Sequence, residues 1–148
     1  MTSRSTARGR RLGIDPGAVR VGVAVCDPDG LLATPLATLK RDKKAAVDIA
    51  EIARLVAEYE IVEVVIGRPT SLSGRAGRAV EAADAYASQV AAAIAPVPVH
   101  RIDERFTTVS ASGALRAAGM SSRQQRSVID QTAAAVMLQA WLDQRTTG

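Results

Sequence analysis

The chain has 148 residues and a mass of 15.5 kDa, the size of one ordinary domain, with 47% hydrophobic and 23% charged side chains. A single cysteine, Cys26, and a single histidine, His100, exclude an internal disulfide and any zinc site built from several such ligands. The formal charge of +4 comes from an acid-free start carrying Arg4, Arg8, Arg10 and Arg11, and residues 12–148 hold 15 basic and 15 acidic side chains, so any nucleic-acid contact by the body needs a local arginine patch and not a global field.

Residues 1–11 read as a flexible basic arm and residues 12–145 as one domain. Leu12 to Asp15 begin a short apolar strand, broken by Pro16-Gly17. Val19 to Cys26 alternates apolar and small residues as a strand does, and Asp27-Pro28-Asp29-Gly30 supplies a turn. Leu31 to Leu39 reads as a third strand, where Pro35, which lacks an N–H, points to a sheet edge or a bulge. Three short strands joined by tight turns predict an antiparallel meander.

The period then changes. Val47, Ala50, Ala53, Val56 and Ala57 lie three and four apart, predicting a helix over 43–60. Ile61 to Ile66 is a β-branched run, a strand buried on both faces. Gly67-Arg68-Pro69 ends it and opens a Gly-, Ser- and Arg-rich exposed loop over 67–78. An alanine-rich helix over 78–95 follows, then a fifth strand over 97–102. Helices over 107–118 and 122–144 close the chain, with Ser121 or Ser122 to cap the second. The order βββαβαβαα predicts an α/β fold: a five-stranded mixed sheet, antiparallel on one side and parallel on the other, with helices on both faces.

Three acids stand at places where chemistry or simple structure would each put them. Asp15 emerges where an apolar strand ends, and Gly17 beyond it allows a backbone or phosphate to come close; alternatively, it starts an Asx turn before proline. Asp103-Glu104-Arg105 follows the fifth strand, at the edge where open α/β sheets bind ligands; acids also favour the start of a helix. Asp130 leads the stripe Ala133, Ala134, Met137 and Trp141, and a carboxylate there is costly unless it binds metal or pairs with an arginine such as Arg123 or Arg126. Carboxylates from two strand ends and one helix suit hard cations such as Mg2+, and a pair of such ions supports in-line displacement at phosphorus. Arg68, Arg75 and Arg78 crowd the loop after the fourth strand as candidate phosphate contacts. His100 reads as a packed or surface residue, Cys26 as a small buried hydrophobe, and Trp141 as helix core.

Taken in order, Gly13-Ile14-Asp15-Pro16-Gly17 with Arg20-Val21-Gly22-Val23-Ala24, Val65-Ile66-Gly67-Arg68-Pro69, Asp103-Glu104-Arg105-Phe106-Thr107-Thr108, and Asp130 with Ala133-Ala134 resemble the YqgF family, also called RuvX. The resemblance covers residues 11–145. It implies a ribonuclease H-like fold, similar to RuvC-type Holliday junction resolvases, and a nuclease that processes the 5′ end of pre-16S ribosomal RNA or resolves DNA junctions. It further implies that Asp15, Glu104 and Asp130 are catalytic ligands of Mg2+ or Mn2+, and that Arg20 and Arg105 face substrate phosphates. Arg68 departs from the family's Gly-Leu-Pro stretch. RuvC-type enzymes carry an acid near there; here Glu104 must serve instead.

Two classes of function follow: a metal-dependent phosphodiesterase acting on precursor RNA or branched DNA, or a non-catalytic nucleic-acid-binding module. An actin-like kinase needs two lobes of this fold, and this chain supplies one. Symmetric cleavage of a four-way junction would require a homodimer. No apolar run is long enough to span a bilayer, and no secretory leader is visible, so a cytoplasmic protein is expected.

Overall fold

The structure, a computed structural model, describes residues 8–69, 74–103 and 122–147. Its elements are β1 (Arg11–Pro16), β2 (Arg20–Cys26), β3 (Ala33–Lys40), α1 (Val47–Glu58), β4 (Glu63–Arg68), α2 (Gly74–Ile94), β5 (Val99–Asp103) and α3 (Ser122–Thr147). The five strands form one sheet in the order β3-β2-β1-β4-β5. β1 pairs antiparallel with β2, and β2 with β3, whereas β1–β4 and β4–β5 are parallel. This is the mixed sheet expected from the change of period. The helix expected over 107–118 lies outside the described residues.

Strand alternation divides the core in two. Leu12, Ile14, Val21, Val23, Val64 and Ile66 meet Ile52, Leu55, Tyr86 and Val90 of α1 and α2. Ala24, Cys26, Val65 and Ile102 meet Ala134, Met137, Leu138 and Leu142 of α3 on the other face. Each large apolar side chain so buried contributes about 2 kcal/mol relative to exposure.

Boundaries differ from the sequence reading for local reasons. The Asp42 carboxylate accepts the Lys44 and Ala45 backbone N–H groups, Ala46 is left-handed at φ 55°, and α1 starts only at Val47. α2 begins at Gly74, inside the expected loop. Residues 8–11, assigned to the arm by composition, are engaged. Arg8 pairs with Asp29, Gly9 donates to the Pro28 carbonyl, and Arg11 is a buried residue of β1. β3 is an edge strand, as Pro35 suggested, and it also bulges: the register steps from Val23↔Ala37 to Ala24↔Pro35, leaving Leu36 without an opposite residue.

Beneath α1 and α2, Tyr86 is buried and donates its hydroxyl to Asp48 at 2.8 Å. Arg41 lies 4.4 Å above the Tyr86 ring and 3.7 Å from Asp48. Burial, and then the Asp48 carboxylate, push the phenol above its ordinary value and keep it a donor. Tyr86→Phe leaves the buried carboxylate without its best partner. It is expected to cost about 2 kcal/mol of stability, read by urea denaturation, because hydrogen bonds to charged groups are the stronger kind.

Candidate active site

β1 lies at the centre of the sheet, and the parallel β1–β4 and β4–β5 pairings bring Asp15, Arg68 and Asp103 to one edge. Alternation then fixes the face. Gly13 and Asp15 point the same way, and Gly13 lies under α3: a Cβ there would meet the Leu138 Cβ at 2.8 Å and the Ala134 carbonyl oxygen at 3.2 Å. Asp15 pairs with Gly22 across the β1–β2 hairpin, so both also face α3. Gly17 serves the hairpin itself: it donates to the Arg20 carbonyl at 2.9 Å, and that carbonyl is what makes the close approach expected at Gly17.

Gly22 is the residue that seats the helix. A Cβ built on it would fall 1.8 Å from the Asp130 carbonyl oxygen, so the backbone of α3 rests directly on the strand. The Asp130 carboxylate is thereby held beside Asp15 on one face and at one edge. Asp130 accepts a 2.7 Å bond from Arg20 Nε, and Arg20 lies two residues from Gly22 on that face. The arginine partner of Asp130 is thus supplied by β2. Neither Gly13 nor Gly22 stood out in the sequence as a site residue. The signal was a glycine inside each strand pattern, which marks a close backbone approach.

The two acids are not equivalent. Asp130 has Arg20, whereas Asp15 has no hydrogen-bond or ion-pair partner among the described residues. Burial first, and then the Asp130 charge, raise the Asp15 carboxyl from 3.8 to about 6. Two neighbouring carboxylates with one arginine, bound to Asp130 alone, leave negative charge uncompensated. Hard oxygen donors with that surplus fit a divalent cation such as Mg2+. Among the described residues no group of three metal-ligating side chains forms. Glu104, the expected third acid, and Arg105 lie outside the described residues, as does the Arg75 side chain.

Arg68 shares the edge of Asp15 but opens to the other face, where it pairs with Asp84 of α2 at 3.2 Å. Arg101 pairs with the same Asp84 at 2.8 Å. Arg78 is exposed near the start of α2. A cleft of about 650 Å³ lies between α1 and α2, lined by Ala46, Ile49, Ala82, Ala85 and Gln89, on the side of the sheet away from Asp15 and Asp130.

The opposite edge carries a second ionic cluster. Glu63 accepts from Arg11 at 2.9 Å and Arg145 at 2.7 Å, and lies 2.9 Å from His100 Nε2. Burial would raise this carboxyl, but the bonds from Arg145, Arg11 and His100 outweigh it and hold it below its ordinary range. The His100 ring lies 5.3 Å from Trp141, and Arg145 lies 4.2 Å above the Trp141 ring. Trp141 packs against the core as expected, and His100, half-buried, joins it while bound to Glu63. Cys26 is buried and its sulfur accepts the Arg11 N–H at 3.1 Å.

A family model described as RuvX, Holliday junction resolvase, matches residues 9–144. A protein of Mycobacterium ulcerans (strain Agy99), provisionally named as a pre-16S rRNA nuclease, is 54% identical over 142 residues, covering 96% of this chain and 83% of its own. Its counterpart in Rhodococcus jostii (strain RHA1), named the same way, is 52% identical over 142 residues, covering 94% and 80%. Among solved structures, T. thermophilus RuvC in complex with a Holliday junction substrate aligns with TM-score 0.55 at 16% identity, over 94% of this chain and 96% of that one. The fowlpox virus Holliday junction resolvase aligns with TM-score 0.54 at 10% identity, over 91% and 99%. These two likenesses are of fold, and they bear out the ribonuclease H-like architecture.

Proposed function

This chain belongs to the RuvX family of Holliday junction resolvases, and from that footing we propose that the edge holding Asp15 and Asp130 is where it hydrolyses phosphodiester bonds in structured nucleic acid. The protein is a nuclease, and its substrate is the 5′ region of precursor 16S ribosomal RNA, with branched DNA as the other candidate. The observation that carries this reading is the juxtaposition of Asp15 with Asp130, joined by Gly22, on one face at one edge of the sheet.

Asp15, Asp130 and Glu104 would hold Mg2+ or Mn2+. When bound, such an ion lowers the pKa of a coordinated water and stabilises charge building on the phosphate oxygens. The chain's own residues do the rest. Asp15, on the rigid central strand, fixes one oxygen ligand. Gly22 fixes the height of Asp130 above the sheet. Arg20 and Arg105 receive the phosphate at the site, Arg75 and Arg78 meet the flanking backbone at the head of α2, and Arg68 joins them only by leaving Asp84 on the other face.

The test is a cleavage assay on a precursor 16S rRNA fragment and on a four-way DNA junction, each with Mg2+, with Mn2+ and with EDTA. The expected result is cleavage with either ion and none with EDTA. Tight binding with no cleavage under any condition would assign the chain instead to the non-catalytic class. Sedimentation during junction binding would show whether two copies act together.

A further inference from the structure

Arg20 raises a question that the role of receiving phosphate does not answer. Its Nε lies 2.7 Å from Asp130 Oδ2, and the two side chains are 34% and 26% exposed. The pair closes across the whole fold, from the start of β2 to the first half of α3, and its geometry is set on both sides by backbone. On one side, Arg20 lies two residues from Gly22 on the same face of a hydrogen-bonded strand. On the other, α3 is pressed onto Gly22 at Asp130 itself. The guanidinium therefore holds its position without depending on a flexible loop, and it takes an oxygen that the proposed metal ligand set needs.

We propose that Arg20 is a built-in competitor of the divalent cation: it neutralises Asp130 while the site is empty of metal, and must leave that oxygen when the ion loads. This rests on the reading of Asp15 and Asp130 as metal ligands. The physical reason is simple exclusion. A carboxylate oxygen that accepts a charge-assisted bond from a guanidinium has that lone pair occupied, and a divalent ion placed there would face a like charge at contact distance. Arg20 thus sets the metal concentration at which the site fills. It also couples filling to substrate capture, because the guanidinium that leaves Asp130 becomes free for a phosphate at the moment the ion is in place. Arg20 is in this sense a positioning residue whose state reports the state of the metal.

The test measures metal binding directly. Titration calorimetry with Mn2+ on the metal-stripped full chain, at fixed ionic strength, compares wild type with Arg20→Gln. Removal of the competitor is expected to tighten Mn2+ binding roughly fivefold, the scale of one partly exposed ion pair. Unchanged or weaker binding in Arg20→Gln would overturn the proposal. A second readout needs no variant: the Arg20 Nε–H resonance of the 15N-labelled wild type should shift and lose protection from exchange as Mg2+ saturates the site. A resonance that stays in place at saturation would overturn the proposal equally. The two readings separate cleanly. A wild type that binds Mn2+ but cuts nothing sinks the nuclease assignment and leaves the Arg20 results standing. Unaltered Mn2+ affinity in Arg20→Gln, beside a wild type that binds Mn2+ and cuts, sinks the competitor alone. A wild type that binds no Mn2+ sinks both.

Discussion

Asp15→Asn is expected to abolish cleavage and, in metal-free buffer at neutral pH, to raise the melting temperature. Loss of turnover follows from removing a carboxylate proposed to hold the metal where transition-state charge must be met. The gain in stability follows from the cost of ionising Asp15, first because it is buried and then because it lies beside Asp130. The folded carboxyl titrates at about 6 against an ordinary value of 3.8. Between those pH values the folded chain keeps a proton that the unfolded chain releases, so stability falls as pH rises through this window. Above it the deficit is constant, about 3 kcal/mol as an upper figure. The asparagine has no such proton, so the wild type should lose more stability than the variant between about pH 4 and pH 6, and the two curves should run parallel above it. Calorimetric melting of both proteins in EDTA across this range checks the sign. A variant that melts below wild type at pH 7, or that still cuts, would contradict the assignment of Asp15.

Gly22→Ala is expected to be the most damaging small substitution in the domain. The added methyl would sit 1.8 Å from the Asp130 carbonyl oxygen, and the obstacle is backbone, which cannot rotate away. α3 must lift from the sheet, opening its contacts with Ala24, Val65 and Ile102. Overpacking of this kind costs about 3 kcal/mol, the upper end of the usual range. The lift also carries Asp130 away from Asp15, so cleavage and metal binding should fall even at temperatures where the variant stays folded. Circular dichroism melts together with Mn2+ titration at low temperature check both halves. A variant with wild-type stability would show that α3 does not rest on β2 as described.

How much of this could be read from the chain depends on the distance over which each feature is encoded. The meander was legible because its turn, Asp27-Pro28-Asp29-Gly30, is local: the Asp27 carboxylate accepts the Asp29, Leu31 and Leu32 backbone N–H groups. The start of α1 was missed by four residues, because the Asp42 turn and the left-handed Ala46 delay a helix that periodicity alone begins at residue 43. Arg11 was read as tail charge, since a lone arginine beside other arginines looks solvated; its partner Glu63 is 52 residues away, and only the β1–β4 pairing joins them. Asp130 shows the same limit. Helical spacing offered arginines one and two turns back, but the partner is Arg20, 110 residues earlier. Asp15 and Asp130 were legible as candidates, since a strand end and an apolar stripe are sequence features. What seats them together, two glycines under a helix, was written in the chain but carries no chemistry to draw attention.

The bulge at Leu36 has a bearing on assembly. An outermost strand offers its spare N–H and C=O groups to any passing chain, and a regular one would invite a second molecule to continue the sheet. Here Pro35 withholds a donor, and the extra residue beside it breaks the even spacing that an incoming strand would have to match. β3 is therefore a terminus that does not template growth. A second copy approaching from this side has to meet side chains, through a helix or a loop, and fibrillar stacking along this border is disfavoured from the outset.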